Sequence, residues 1–224
     1  MISMNFQYIR INNLLQDKRI SIISPSLKLQ KDDINDFGKT AVISQDKEFI
    51  SGYTDLIDKK LVEGSFTIFG DHTEIFKFID FPFAQGADGI KILKADDRTI
   101  ASKYLYYSLK NCYYPTGFYQ RHFKLLRKTY IPDLDINHQK QIVTVLNNYD
   151  QLIENNSKRI ELLELMAEEL YKEWFVRLRF PGHKETDLKK QSARGWCFGD
   201  REDGQDIPVN WNFDELVNIA EFKR

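Results

Sequence analysis

The longest regular pattern of apolar residues in the chain runs from Ile142 to Trp174, where apolar positions are separated alternately by four and three residues. The ten positions of this seam are Ile142, Leu146, Tyr149, Ile153, Asn156, Ile160, Leu163, Ala167, Leu170 and Trp174. All except Asn156 are apolar or aromatic. A heptad repeat of this length predicts a coiled-coil helix with a partner helix. A single buried asparagine fixes the register of such a pair, which favours a specific partner.

The predicted helix has no internal breaker, because residues 139–176 contain neither glycine nor proline. Pro181 and Gly182 predict where it ends. A long helix covered within one domain is the alternative. The length of the seam argues against it, because the preceding segment is too small to cover such a helix.

The residues before this helix follow shorter patterns. Segments 41–44, 65–69, 75–79 and 89–93 are rich in β-branched and aromatic residues and are separated by glycine and proline, which predicts strands. Segments 5–16 and 101–111 have helical spacing. The residue before Pro132 is expected to be extended, so 130–132 is predicted to end a strand. The pattern therefore predicts an α+β chain with a mixed, β-rich domain followed by a long α-helix.

Four regions follow from these patterns. Residues 1–135 are predicted to form a domain, 136–180 the long helix, 181–206 a polar linker, and 207–224 the start of a second, truncated unit.

Composition excludes several classes of protein. Hydrophobic residues make up 42% of the chain and charged residues 29%, which favours a folded soluble protein over a disordered one. No apolar run approaches the ~20 residues that span a bilayer, and the N-terminal residues do not resemble a signal peptide. The two cysteines, Cys112 and Cys197, are far apart, which favours reduced thiols over a disulfide. A cytoplasmic location is expected.

Charge is unevenly distributed although the net charge is only −1. The segment between Asp97 and Asp133 contains seven cations and no acid, interleaved with tyrosine and phenylalanine. Such a stretch is typical of surfaces that neutralise nucleic-acid phosphates. A solvated basic face on an ordinary domain is the alternative.

Motifs for catalysis are missing from the sequence. It has no glycine-rich cofactor loop with a base-pocket tetrapeptide and no phosphate-binding P-loop, and its histidines lack metal-site spacing. Asp71-His72 is a poor acid–base pair, because neighbouring side chains at a strand end point in opposite directions. Asp133 and Asp135 lack the acid-x-lysine pattern of a nuclease. The sequence therefore predicts neither an active site nor a cofactor or metal.

Several of these segments resemble the specificity subunit of type I restriction–modification enzymes. The resemblance lies in 131–134, Gln139, Ile142-Val143, 159–163, 169–176 and 179–182, which are similar to that family's long-helix region. Upstream, 37–39, 52–53, 70–73 and 85–89 resemble one class of its target-recognition domains. His138 departs from the acidic residue common in the family before this glutamine. The resemblance covers about 37–182 and the restart at 207–224.

The resemblance implies an architecture and a set of partners. Family members usually carry two target-recognition domains and two long helices packed as an antiparallel coiled coil, which sets the distance between two DNA half-sites. This chain contains one domain and one helix, so a half-length or truncated subunit that pairs with a second copy is expected. The implied partners are double-stranded DNA, the methyltransferase subunit and the restriction subunit, and no membrane is expected.

DNA-contacting residues are predicted on loops held by the sheet. The candidates are Ser44, Gln45, Lys47, Tyr53, His72, Thr73, Lys77 and Gln85 for bases, with Arg121, His122 and Lys124 mainly for phosphates. For each of them the alternative is a solvated loop side chain or a turn former. The predicted helix partner surface is the seam itself.

Two other functions stay open from sequence alone. A coiled-coil assembly module would oligomerise without specific DNA affinity. A DNA-modifying enzyme with an unrecognised site would show turnover as an isolated chain.

Overall fold

The computed structural model describes residues 7–24, 29, 31–56, 60–61, 64–86, 89–113, 122–191 and 205–211. The chain divides into two compact units, residues 1–150 and residues 151–224. The first unit therefore includes the first turns of the long helix, whereas the sequence placed the boundary at residue 135.

Within the described residues of the first unit, ten short strands, three short α-helices and a 3₁₀ turn at Lys31–Asp33 precede the long helix. The strands are β1 (Tyr8–Arg10), β2 (Ile20–Ile23), β3 (Thr40–Ile43), β4 (Gly52–Thr54), β5 (Lys60–Leu61), β6 (Phe66–Gly70), β7 (Phe76–Ile79), β8 (Phe83–Gln85), β9 (Ile90–Ala95) and β10 (Tyr130–Pro132). The helices are α1 (Ile11–Gln16), α2 (Ser102–Cys112) and α3 (Phe123–Leu126). The predicted strands and the predicted helix at 101–111 are confirmed.

Two four-stranded sheets form the body of this unit. The first has the order β2-β9-β6-β7 and is antiparallel throughout. The second has the order β4-β3-β8-β5, with β3 and β8 parallel. A further antiparallel ribbon joins β1 to β10, with Ile9 opposite Ile131.

The first sheet is covered on both faces. Within β6, Phe66 and Ile68 belong to a core shared with Phe83 of the second sheet. Phe69, on the opposite face of β6, packs into a core with the helix residues Leu105 and Leu126. Side chains alternate along a strand, so a strand between two layers is apolar on both faces. This burial agrees with a segment, 65–69, that is rich in aromatic and β-branched residues.

The segment predicted to be helical at 5–16 divides into two elements where the structure describes it. Residues 8–10 form β1, and the helix begins only at Ile11. Pairing with β10 captures residues 8–10, which is a long-range contact that helical spacing does not reveal.

The long helix α4 extends over Ile136–Tyr171, which is 36 residues or about 54 Å at 1.5 Å per residue. Asp135 caps its start, because its Oδ1 accepts the backbone N–H groups of Asn137 and His138 at 3.0 and 3.2 Å. The hydrogen bond from the imidazole of His138 lowers the pKa of the Asp135 carboxyl. A π-helical turn, Lys172–Val176, follows α4. The predicted fold class is confirmed, and the pairing of α4 with a partner helix stays a prediction.

The second unit contains the rest of α4 and a short ribbon. Strand β11 (Leu188–Gln191) pairs antiparallel with β12 (Gln205–Pro208). Trp211 packs between Phe175 and Phe180, with ring centroids 5.2 and 5.3 Å away. The segment predicted to be a linker therefore contains paired strands. Of the predicted new unit at 207–224, residues 212–224 lie outside the described residues.

None of the described helices combines the length and the apolar content that crossing a bilayer requires.

Candidate nucleic-acid interface

Three connections that are distant in sequence meet at one end of the two sheets. They are the β3–β4 loop (44–51), the β6–β7 turn (71–75) and the β8–β9 connection at Gly86 and Gly89. Backbone hydrogen bonds tie them together: Gly86 N–H donates to Ile43 O at 3.0 Å, and Asp71 N–H donates to Gly89 O at 2.6 Å. We call these three connections the loop cluster.

Gln45 lies at the centre of the loop cluster. Its Oε1 accepts the backbone N–H of His72 at 3.3 Å, and its carbonyl oxygen accepts the Thr73 hydroxyl at 2.6 Å. Gly89 has φ of 106°, and a Cβ there would lie 2.7 Å from Gln45 Nε2. Only glycine therefore fits beside this side chain. The structure thus brings together Gln45, His72 and Thr73, which the sequence proposed separately.

Lys77 holds the β3–β4 loop in place through its buried ammonium group. Its ammonium donates to Ser44 O at 2.9 Å, to Asp46 Oδ1 at 3.1 Å and to the carbonyl oxygen of Glu48. The residue is 4% exposed. An ammonium group has three donors, so all of them are used within the protein. The prediction that Lys77 contacts a base is therefore revised: the residue shapes the loop.

His122 is likewise buried, at 1% exposed. Its Nδ1 lies 2.7 Å from Glu74 Oε1, which also accepts the hydroxyl of Tyr113 at 2.9 Å. The backbone N–H of His122 donates to Asp71 O at 2.9 Å. Burial and the hydrogen bond to Glu74 raise the pKa of Tyr113. His122 thus anchors the start of α3 to the β6–β7 turn, and its predicted phosphate contact is revised in the same way.

The remaining predicted contacts differ in exposure. Lys47, Thr73 and Lys124 are exposed, whereas Ser44, Gln45, Tyr53 and His72 are partly exposed. Gln85 is 4% exposed, so its side chain is not presented at the surface. Tyr53 lies on β4 opposite Ala41, outside the contacts that join the loop cluster. Arg121 lies outside the described residues.

The start of α4 is attached to the domain by Gln139, which is 1% exposed. Its Oε1 accepts the N–H of Ala101 at 2.8 Å, and its Nε2 donates to Leu134 O at 2.7 Å. About three turns further along, the Tyr107 hydroxyl donates to Asp150 Oδ2 at 2.5 Å. Burial and this hydrogen bond raise the pKa of Tyr107. These contacts explain why the first unit extends to Asp150.

The helix seam is otherwise uncovered. Tyr149 is 62% exposed, Ile153 65%, Ile160 57%, Leu163 61% and Leu170 51%. Asn156 is exposed, and Trp174 is partly exposed. Ile142 and Leu146, at the start of the seam, line a groove of about 700 Å³ together with Tyr104 and Tyr107. A row of large exposed apolar side chains of this length is typical of interaction surfaces.

Comparisons with known proteins agree with the expectation from sequence, although no family model matches the chain. The type I restriction enzyme MjaIX specificity subunit of Methanocaldococcus jannaschii is 33% identical over 110 residues, which covers 43% of this chain and 26% of that protein. The crystal structure of the type I restriction–modification S subunit from M. genitalium superposes with a TM-score of 0.60 at 19% identity, covering 92% of this chain and 59% of that one. The fold is that of type I specificity subunits. The predicted resemblance is confirmed.

A second solved structure, which concerns complex assembly and conformational transition of the type I R-M system, superposes with a TM-score of 0.51 at 15% identity. It covers 76% of this chain and 44% of that one. This chain spans about a quarter of the MjaIX specificity subunit, because the match covers 26% of the length of that protein.

Two residues that lie beside the cations at the end of α3 on this specificity-subunit fold were not predicted from the sequence. Arg10 and Asn12 lie beside Lys124, Arg127 and Lys128 although more than a hundred residues separate them in the chain. No local pattern links positions so far apart. Gln139, by contrast, was part of the family resemblance, but its role as a buried attachment of α4 was not predicted.

Among the described residues, no three histidine, cysteine, aspartate or glutamate side chains are grouped so that they could hold a metal ion.

Proposed function

We propose that this chain is a sequence-specific DNA-recognition subunit of a type I restriction–modification complex, which directs methyltransferase and restriction subunits to a bipartite site. The observation that carries the proposal is the loop cluster centred on Gln45. Side chains presented on loops from a rigid double sheet are suited to reading base edges in the major groove. The specificity-subunit fold supports the same function.

Bases and phosphates are assigned to different residues in this proposal. Ser44, Gln45, Lys47, His72 and Thr73 are assigned to bases, because they are at least partly exposed in or beside the loop cluster. Tyr53 and Arg121 stay candidates without a contact to that cluster. Lys124 is assigned to a phosphate, because it is exposed on α3, one residue beyond the point where Phe123 N–H binds Asp71 Oδ1 at 2.7 Å.

We also propose that two copies of the chain pair through the α4 seam. In an antiparallel pair, the two kinds of core position alternate across the interface. One register places every seam residue of one copy opposite a seam residue of the other. Its pairs are Ile142–Trp174, Leu146–Leu170, Tyr149–Ala167, Ile153–Leu163 and Asn156–Ile160. In this register, Trp174 and Leu170 of the second copy would cover the groove lined by Ile142 and Leu146.

Selection from a random duplex library at about 150 mM salt tests the proposed function. The purified chain, supplemented with methyltransferase subunit in a parallel arm, is expected to enrich one sequence. The exposed seam favours a coiled-coil assembly module as the second candidate, and that function predicts oligomers with no enrichment. Because the chain is proposed to have no active site, methyl transfer from S-adenosylmethionine by the chain alone would contradict the proposal.

A further inference from the structure

A basic cleft of about 240 Å³ lies between the start of α1 and the end of α3, lined by Arg10, Asn12, Lys124, Arg127 and Lys128. Four of these five residues are cations, and none is acidic. Like charges that share a concave surface repel one another and concentrate anions there. A water molecule occupies about 30 Å³, so the cleft has room for a phosphodiester group and several waters.

Asn12 orients one of these cations. Its Oδ1 accepts Nε–H of Arg127 at 3.0 Å and Nη2–H at 2.6 Å. A guanidinium group has five N–H donors, so three stay available after these two hydrogen bonds. A guanidinium that is already fixed in place loses little side-chain entropy on binding an anion, and its planar fork matches the geometry of a phosphate.

Arg10 contributes the second guanidinium. Its Nε is shielded from solvent and has no hydrogen-bond partner among the described residues. Its Cζ lies 5.9 Å from the centroid of the Tyr130 ring. The residue is therefore held by packing on one side, and no carboxylate in the described part of the chain neutralises it.

The basic cleft is close to the loop cluster. The segment that starts α3 is bound to Asp71 through the backbone N–H of His122 and of Phe123. Arg127 is four positions beyond Phe123, which is about 6 Å along a helix. Phosphates of one strand rise by about 3.4 Å each along the duplex axis, so a phosphate bound in the cleft would lie within a few steps of the bases at the loop cluster.

We infer that the basic cleft binds one phosphate of the DNA backbone, clasped jointly by Arg10 and Arg127, next to the bases that the loop cluster reads. This inference rests on the proposed function and deepens it. Joint clasping has a measurable consequence. Each neutralised phosphate contributes about 0.9 to the salt slope of binding, so two arginines on one phosphate contribute about 0.9 together and not separately.

The test measures binding of a duplex that contains the selected site between 50 and 200 mM salt. The proteins are the wild type, Arg10→Ala, Arg127→Ala, the double variant and the control Lys184→Ala, which removes an exposed cation in the second unit. The double variant is expected to lose about 0.9 of the slope, so that its affinity falls about 3.5-fold less than that of the wild type over this range. The single variant Arg127→Lys is expected to keep most of the wild-type salt slope, because it keeps the charge.

A scan of single neutral methylphosphonates along the same duplex identifies the phosphate. One position is expected to weaken the wild type and leave the double variant unaffected. Two outcomes would overturn the inference while leaving the proposed function intact. In the first, every methylphosphonate that weakens the wild type weakens the double variant equally. In the second, the double variant has the same salt slope as Lys184→Ala. A wild type that binds no duplex at any salt concentration would overturn both.

Discussion

Replacing Ile153 and Ile160 together by aspartate is expected to convert the protein from a dimer to a monomer. Both side chains are more than half exposed in the single chain, at 65% and 57%, and belong to the predicted seam. In a paired seam, each aspartate would be moved from water into an apolar interface, at a cost on the order of several kcal/mol. Sedimentation velocity at micromolar concentration measures the change directly.

The matched control is Leu165→Asp. Leu165 is 53% exposed on the same helix, but it lies on the face opposite the seam. This control is expected to stay dimeric, and both proteins should keep their helical circular dichroism. A seam variant that stays dimeric with normal helicity would show that the copies associate elsewhere.

Cysteine cross-linking tests the orientation of the pair in a chain whose two natural cysteines are replaced by serine. Asn156 faces Ile160 of the other copy in the antiparallel register, whereas a parallel pair would place Asn156 opposite itself. An Asn156→Cys chain mixed with an Ile160→Cys chain is therefore expected to form a mixed disulfide. A disulfide in Asn156→Cys alone would instead indicate parallel helices.

Lys77→Met is expected to destabilise the domain by about 1–3 kcal/mol and to abolish sequence preference. The substitution leaves Ser44 O and Glu48 O without their ammonium donor beneath the loop. The apolar methionine fits the buried site but cannot hold the 44–51 loop in place. Denaturant unfolding measures the stability, and competition between selected and scrambled duplexes measures the preference.

Lys47→Met is the matched control, because Lys47 is an exposed lysine in the same loop. It is expected to leave the free energy of unfolding nearly unchanged, within about 0.5 kcal/mol. Equal destabilisation by the two substitutions would contradict the structural role assigned to the Lys77 ammonium.

Local patterns explain which parts of the fold could be predicted. The α4 seam repeats every seven residues, and the buried strand β6 is a short segment rich in aromatic and β-branched residues that follows Gly64 and ends at Gly70, so both can be recognised along the chain. Strand β1 is not, because its conformation depends on pairing with β10, more than a hundred residues away. Tertiary pairing overrode a weak helical spacing there.

The candidate site likewise contains residues that local patterns predict and residues whose role depends on tertiary contacts. Glycine-marked turns pointed correctly to Gln45 and Thr73 as loop residues, and the structure places them in contact. The burial of Lys77 and His122 could not be predicted, because a polar residue that contacts DNA and one that supports a loop have the same local sequence. Arg10 was missed because its contribution depends on the packing of α1 against α3.

The role of Gln45 in reading bases is tested by comparing the sequence preferences of Gln45 variants. Gln45→Ala is expected to weaken binding to the selected duplex by about 1–3 kcal/mol and to change binding to a scrambled duplex little. Gln45→Glu keeps an acceptor for the His72 N–H but loses the amide donor, so it is expected to change the preferred base at one position. Gln141→Ala, which removes an exposed glutamine on α4, is expected to behave like the wild type. An unchanged selected sequence for both Gln45 variants would contradict this role.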